Sequence, residues 1–157
     1  MSAREEWLLM KRVRTCVAGF ALVSLFVLAA NAQQQTWPEL NAEVVKLQRQ
    51  GRYAAAVDAG KGALEFAERT LGPEHANVAA SLYCLGDAYK AQGQYSQAEL
   101  LYRRGVAICE KIYGPDHPSV AIGLSKLGDV CEAGGQYAKA EPLLERSLAI
   151  CEKALGS

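Results

Sequence analysis

The chain has 157 residues, half of them apolar, with 17 basic and 17 acidic side chains and a net charge of zero. That length suits a single domain. A balanced charge supplies no field-driven attraction to nucleic acid or to an acidic surface, so a nucleic-acid partner is not expected.

The first 32 residues stand apart. Lys11, Arg12 and Arg14 precede an uncharged apolar run from Val17 to Ala30, and Ala30-Asn31-Ala32 closes the segment. A charged n-region, an apolar h-region and an A-x-A site read as a secretory signal peptide over 1–32, cleaved after Ala32. The competing reading is a retained inner-membrane anchor, for which Glu5 and Glu6 near the start speak. The apolar run of 14 residues is shorter than the ~20 that cross a bilayer. The expected address is the bacterial periplasm, with membrane association only through an uncleaved signal segment.

After a polar spacer at 33–36, Trp37-Pro38 opens the first helix, with proline where a missing donor is harmless. Val44, Val45 and Leu47 give it an apolar side, and Gly51 ends it. Tyr53 to Leu71 carries Ala56, Ala59, Ala63, Phe66 and Ala67 at helical spacing. Gly60 and Gly62 inside it each cost about 1 kcal/mol against alanine. Gly72-Pro73 stops this helix, glycine supplying a left-handed cap. Further helices are expected from Ala76 to Gln92, from Tyr95 to Tyr113, up to Gly134 with Asp116 as N-cap, and from Tyr137 to about Leu155 with a slight kink at Pro142.

Two markers recur along this series. Gly51-Arg52-Tyr53-Ala54-Ala55-Ala56 returns as Gly93 to Ala98 and as Gly135 to Ala140, 42 residues apart each time. Leu71-Gly72-Pro73-Glu74-His75 returns as Tyr113-Gly114-Pro115-Asp116-His117 with the same period. Markers locked in one period mean an internal repeat. The fold class expected is all-α: a right-handed α-solenoid of about three helix-turn-helix repeats, six antiparallel helices at 37–157 behind the N-terminal signal helix. The repeats run about 37–72, 73–114 and 115–156.

The repeat-defining residues are Gly51, Tyr53 and Ala56, then Gly86, Gly93, Tyr95 and Ala98, then Gly128, Gly135, Tyr137 and Ala140. Gly93 lets the chain reverse within two residues. Ala98 opposite Gly86, and Ala140 opposite Gly128, are expected to let helix backbones approach closely. Tyr95 and Tyr137 are expected to plug the hairpin corners.

Leu85-Gly86-Asp87-Ala88-Tyr89, followed by Gly93-Gln94-Tyr95, Ala98, Tyr102 and Gly105, resembles the tetratricopeptide repeat. The 42-residue period, with Ala98 to Arg104 and Ile112 to Pro118, resembles the kinesin light-chain type common in bacterial proteins. The resemblance covers 37–157. It implies a scaffold without chemistry, in which the first helix of each pair lines a concave groove for peptides or partner domains. It also implies asparagines just before the leucine-glycine step that grip a peptide backbone. Here those positions hold Tyr83 and Cys84, then Ser125 and Lys126, and Asn41 alone keeps an asparagine.

Tyr83, Asp87 and Lys90 fall at i, i+4 and i+7 on one helix face, and Ser125, Asp129 and Glu132 repeat that face one unit later. They are the expected lining of a protein-binding groove; the plainer reading is a solvated stripe in which Asp87 and Lys90 form a weak pair. His75 and His117 read as loop punctuation, since one histidine per loop supplies no metal ligand set. No H-E-x-x-H, P-loop, G-x-S-x-G or dinucleotide fingerprint occurs, so neither an enzyme, a cofactor nor a metal is expected. Helical spacing keeps Cys84, Cys109, Cys131 and Cys151 too far apart or wrongly turned for a disulfide. Cys109, Cys131 and Cys151 read as small buried apolar residues.

Repeat arrays usually close with a polar helix, but Leu143, Leu144, Leu148, Cys151 and Leu155 spread around the last one. Part of that surface is expected to be exposed and to stack on a partner or a second copy. A piece of a longer array is the plainer reading.

Overall fold

The computed structural model describes residues 36–156, so the signal segment 1–32, its cleavage point and most of the spacer lie outside the described residues. Six helices follow in order: α1 (Trp37–Arg49), α2 (Tyr53–Leu71), α3 (Ala76–Ala91), α4 (Tyr95–Tyr113), α5 (Pro118–Ala133) and α6 (Tyr137–Leu155). Helices α2, α4 and α6 have the bounds expected from their flanking glycines. Helices α1, α3 and α5 end one residue early, because Gln50, Gln92 and Gly134 already belong to the capping turn.

That turn is the same in all three hairpins. Gly93 N–H donates to the Lys90 carbonyl and Gln94 N–H to the Tyr89 carbonyl, both at 2.9 Å. Gly93 adopts φ +74°, a conformation that relieves the orphan carbonyls of the helix end and is costly for any residue with a Cβ. The equivalent bonds form at Gly51-Arg52 and at Gly135-Gln136.

The connections between hairpins differ from expectation in two ways. Gly72 and Gly114 have φ +89°, but their ψ values of 157° and 165° make them extended rather than left-handed helical. The helix N-cap is the histidine and not Asp116. His75 Nδ1 accepts from Asn77 N–H and His117 Nδ1 from Ser119 N–H, each at 3.1 Å. The reason is register: Asp116 sits one residue too early, and its carboxylate reaches Lys153 instead. The His117 ring also stacks on Tyr113, centroids 4.4 Å apart. Helix α6 runs through Pro142 without interruption.

Every helix packs on its neighbour in sequence, and α1 also packs on α3 and α3 on α5. No two of α2, α4 and α6 approach in that way. First helices therefore crowd on the inner side of the stack and second helices splay on the outer side, the curvature of an α-solenoid. Among the described residues no helix is long and apolar enough to cross a membrane.

Small residues open space here for large side chains. A Cβ on Gly86 would lie 2.5 Å from the Tyr102 ring, and one on Gly128 would lie 2.5 Å from Leu144. Gly86 and Gly128 therefore make room for a large side chain of the following helix. Tyr102 fills its space completely, with no exposed surface.

Candidate protein-interaction site

On the inner side, α3 and α5 are tied by two ion pairs. Lys126 Nζ donates to both oxygens of Asp87 at 2.9 and 2.8 Å, and Lys90 lies 3.5 Å from Asp129. Asp87 also accepts from the Tyr102 hydroxyl at 2.7 Å. The Asp87–Lys90 pair of the plainer reading does not form, because each residue finds a partner one repeat on. All four charged side chains stay half-exposed.

Tyr83, expected on the same surface, turns inward. Its ring occupies the slot left by Gly105 on α4 and Gly123 on α5, where an added Cβ would come within 2.4 Å and 2.2 Å of it. Its hydroxyl donates to Cys109 Sγ at 3.6 Å. Burial first, and then these bonds, push the Tyr83 and Tyr102 hydroxyls well above the ordinary phenol range. Burial likewise raises the Cys84 thiol. Glycines inside predicted helices were the signal for this slot, since a helix tolerates them where another group comes close.

The remaining expected residues scatter. Ser125 is half-buried. Asn41 donates its amide to Ser81 Oγ at 3.3 Å, beside a 2.7 Å bond from Trp37 Nε1, so it fastens α1 to α3. Its Oδ1 is buried without a partner among the described residues. Glu132 lines an open cleft of about 710 Å³ at the α5–α6 end.

The outer side carries a ladder of ion pairs that sequence reading missed. Arg104 meets Glu68 at 2.5 Å, and one period later Arg146 meets Glu110 at 2.6 Å. Lys111 pairs with Glu74, and one period later Lys153 pairs with Asp116. Lys153 holds the Asp116 carboxyl below its ordinary value. Such exposed pairs add little stability singly; Arg104–Glu68 and Arg146–Glu110 link successive second helices, while Lys111–Glu74 and Lys153–Asp116 tie a second helix to the connection that precedes the first helix of its own repeat. Applying the 42-residue step to charged residues as well as to glycines would have revealed them.

The α5–α6 end is open. Leu148 is 60% exposed, Leu155 88% and Tyr137 69%. Tyr137 therefore plugs no corner, whereas Tyr95 packs against the cluster of Ala98, Tyr102, Leu127 and Val130. Cys151 is exposed, contrary to expectation, while Cys109 and Cys131 are buried and all four are free thiols. The reason is that α5 packs on α4 from the following repeat, while no described helix follows α6 to pack on its equivalent face. Leu143 and Leu144 are half-buried; Leu143 packs inward on the core and Leu144 lies over Gly128. Among the described residues no group of His, Cys, Asp and Glu could hold a metal, and both histidine side chains serve as caps.

Comparison with known proteins agrees with this architecture. The tetratricopeptide repeat family model matches residues 45–111 and 101–153. The chain is similar to the nearly identical TPR-like repeats of a Podosopora anserina protein assigned as a kinesin light chain, at 31% identity and TM-score 0.69, covering 74% of this chain and 56% of that one. A point variant of that same Podosopora anserina protein matches equally at 31% and 0.69, over 74% and 55%. BtubC (BKLC) from P. vanneervenii shares the fold at TM-score 0.74 and 23% identity, over 89% of this chain and 57% of its own. The chain thus spans a little over half the length of these structures, and no curated protein matches it. With its repeated hairpins, paired glycine turns and family match, the chain belongs to the tetratricopeptide repeat family.

Proposed function

We propose that this chain is exported and serves in the cell envelope as a non-enzymatic adaptor, gripping a partner protein along the concave face of α1, α3 and α5. The family's general role in protein–protein interaction supports the reading. The observation that carries it is the inner face, where Asp87, Lys126, Lys90 and Asp129 stand half-exposed as two cross-repeat pairs. Packed helices hold these charges at fixed spacing, so a partner's charged groups meet them without an ordering cost. The test is a pull-down with residues 33–157 and with the Lys90→Ala/Lys126→Ala double variant. Retention by the first and loss by the second, at unchanged circular dichroism, supports the groove; equal retention refutes it.

A second reading is self-assembly through the α6 end, favoured by the exposure of Leu148 and Leu155. It requires mass to rise with concentration in light scattering, whereas the adaptor stays monomeric.

A further inference from the structure

The chain has 2 histidines, and both hold the same place one period apart. His75 and His117 stand in extended backbone, at φ −87° and ψ 149° and at φ −78° and ψ 143°, the conformation of an N-cap. Each turns Nδ1 onto the amide two residues on, Asn77 for α3 and Ser119 for α5, at 3.1 Å. The usual caps, Ser, Thr, Asn and Asp, accept through an oxygen that keeps its lone pairs in mild acid. An imidazole differs, because its accepting nitrogen is also its base, and in the protonated ring both nitrogens are donors. Cap and proton therefore compete for one lone pair.

The surroundings favour the neutral ring. A protonated one would set a positive charge at the N-terminus of a helix, the end whose dipole disfavours it. Neither α3 nor α5 has an acid in its first turn. Beside His75, the Glu74 carboxylate is taken by Lys111 of α4, and Arg104 of α4, paired with Glu68 of α2, lines the same cleft. Beside His117, the Asp116 carboxylate is taken by Lys153 of α6. Arg146 of α6 donates to the Pro115 carbonyl and pairs with Glu110 of α4, and the Tyr113 ring of α4 stacks on the imidazole. The acids next to the rings are thus engaged by lysines.

The other joints of the fold have no such group. Helices α2, α4 and α6 start at Arg52, Gln94 and Gln136 without a side-chain cap, and the hairpin turns close through backbone bonds. Helices α3 and α5 are the ones that carry Asp87, Lys90, Lys126 and Asp129.

We infer that His75 and His117 make the two connections between hairpins an acid-sensitive switch: uncapping loosens the first turns of α3 and α5, the helices of the inner face, while the hairpin turns stay closed. Imidazole changes charge between about pH 5 and 8. The unfolded chain takes up these protons freely and the capped chain resists them. Stability is therefore complete above that range and declines as pH falls through it.

The experiment follows the thermal midpoint of the untagged full chain by circular dichroism between about pH 7.5 and 5.5, where carboxylates stay ionised. The midpoint is expected to fall by about 5 °C as two caps are lost. His75→Asn/His117→Asn replaces both with a cap that does not titrate, and its midpoint is expected to hold within about 1 °C over the same range. Long-range nitrogen–proton NMR of the wild-type chain at the upper pH is expected to find hydrogen on Nε2 and none on Nδ1 in both rings, a readout independent of the variant's folding. A wild-type midpoint that does not move overturns the inference. So does a double variant with the wild-type slope, and so do rings that carry hydrogen on Nδ1.

Discussion

Val106 and Leu148 stand one period apart on α4 and α6, yet Val106 is 7% exposed and Leu148 60%. The same step separates buried Cys109 from exposed Cys151, and Tyr102 in its glycine slot from half-exposed Leu144. Both helices have the same length, the same flanking turns and the same backward ion pairs through Arg104 and Arg146. The difference lies in the neighbour on the C-terminal side: α5 packs on α4, while no described helix packs on the outer face of α6. In a solenoid each unit buries its apolar face only against a neighbour. An amino-acid pattern thus fixes which face is apolar, and the neighbour decides whether that face is core or exposed.

Truncating the two positions should break the symmetry most strongly. Val106→Ala removes two buried carbons at about 0.8 kcal/mol each, and the cavity term brings the loss to about 2 kcal/mol. Leu148→Ala should stay within about 0.5 kcal/mol of wild type, as surface changes do. Urea unfolding of both variants measures this, and equal losses would show that the two faces are alike.

Adding a methyl group sharpens the contrast at smaller scale. Gly86→Ala drives a Cβ into Tyr102, which is enclosed and tied to Asp87. Overpacking of about 1–3 kcal/mol then exceeds the ~1 kcal/mol gained from helix propensity, for a net loss of about 1 kcal/mol. In Gly128→Ala the obstructing Leu144 is half-exposed and can swing outward. Its thermal midpoint should be unchanged or slightly raised.

Alkali is the gentlest probe. Tyr83 and Tyr102 are the hydroxyls pushed up by burial, and their counterparts at the end are Ser125 and Leu144, which do not titrate. The folded chain keeps both phenols neutral while the unfolded chain ionises near pH 10. Their contribution is therefore complete below pH 10 and declines as pH rises above it. Absorbance titration of the 7 tyrosines should show two that ionise only together with unfolding.

The fold was legible because glycine and proline punctuate it. Gly93 at positive φ and Gly72-Pro73 leave few choices for where helices stop, so three helices kept their bounds to the residue. The inner surface was half legible: helical spacing placed Asp87 and Lys90 on one face, but their partners lay across a repeat, in Lys126 and Asp129. Tyr83 was misplaced because spacing within one helix says nothing of glycines on two others. His117 displaced Asp116 as cap because an imidazole nitrogen accepts as a carboxylate does, and it stands at the right register. Cys151 was misread as buried because periodicity treats all repeats as equal, although the last has no described neighbour.

Thiol alkylation of the folded chain, resolved by peptide mass mapping, tests the central claim most directly. Cys109 and Cys151 are the same residue type at the same repeat position, and they differ in surroundings: Tyr83 donates to Cys109 and a following helix packs on α4, whereas Ser125 stands in the place of Tyr83 and no described helix follows α6. Cys151 should react at least about tenfold faster than Cys109, which waits on opening of the α4–α5 contact, and the two should react alike once the chain is unfolded. Equal protection of both thiols in the folded chain would contradict the account.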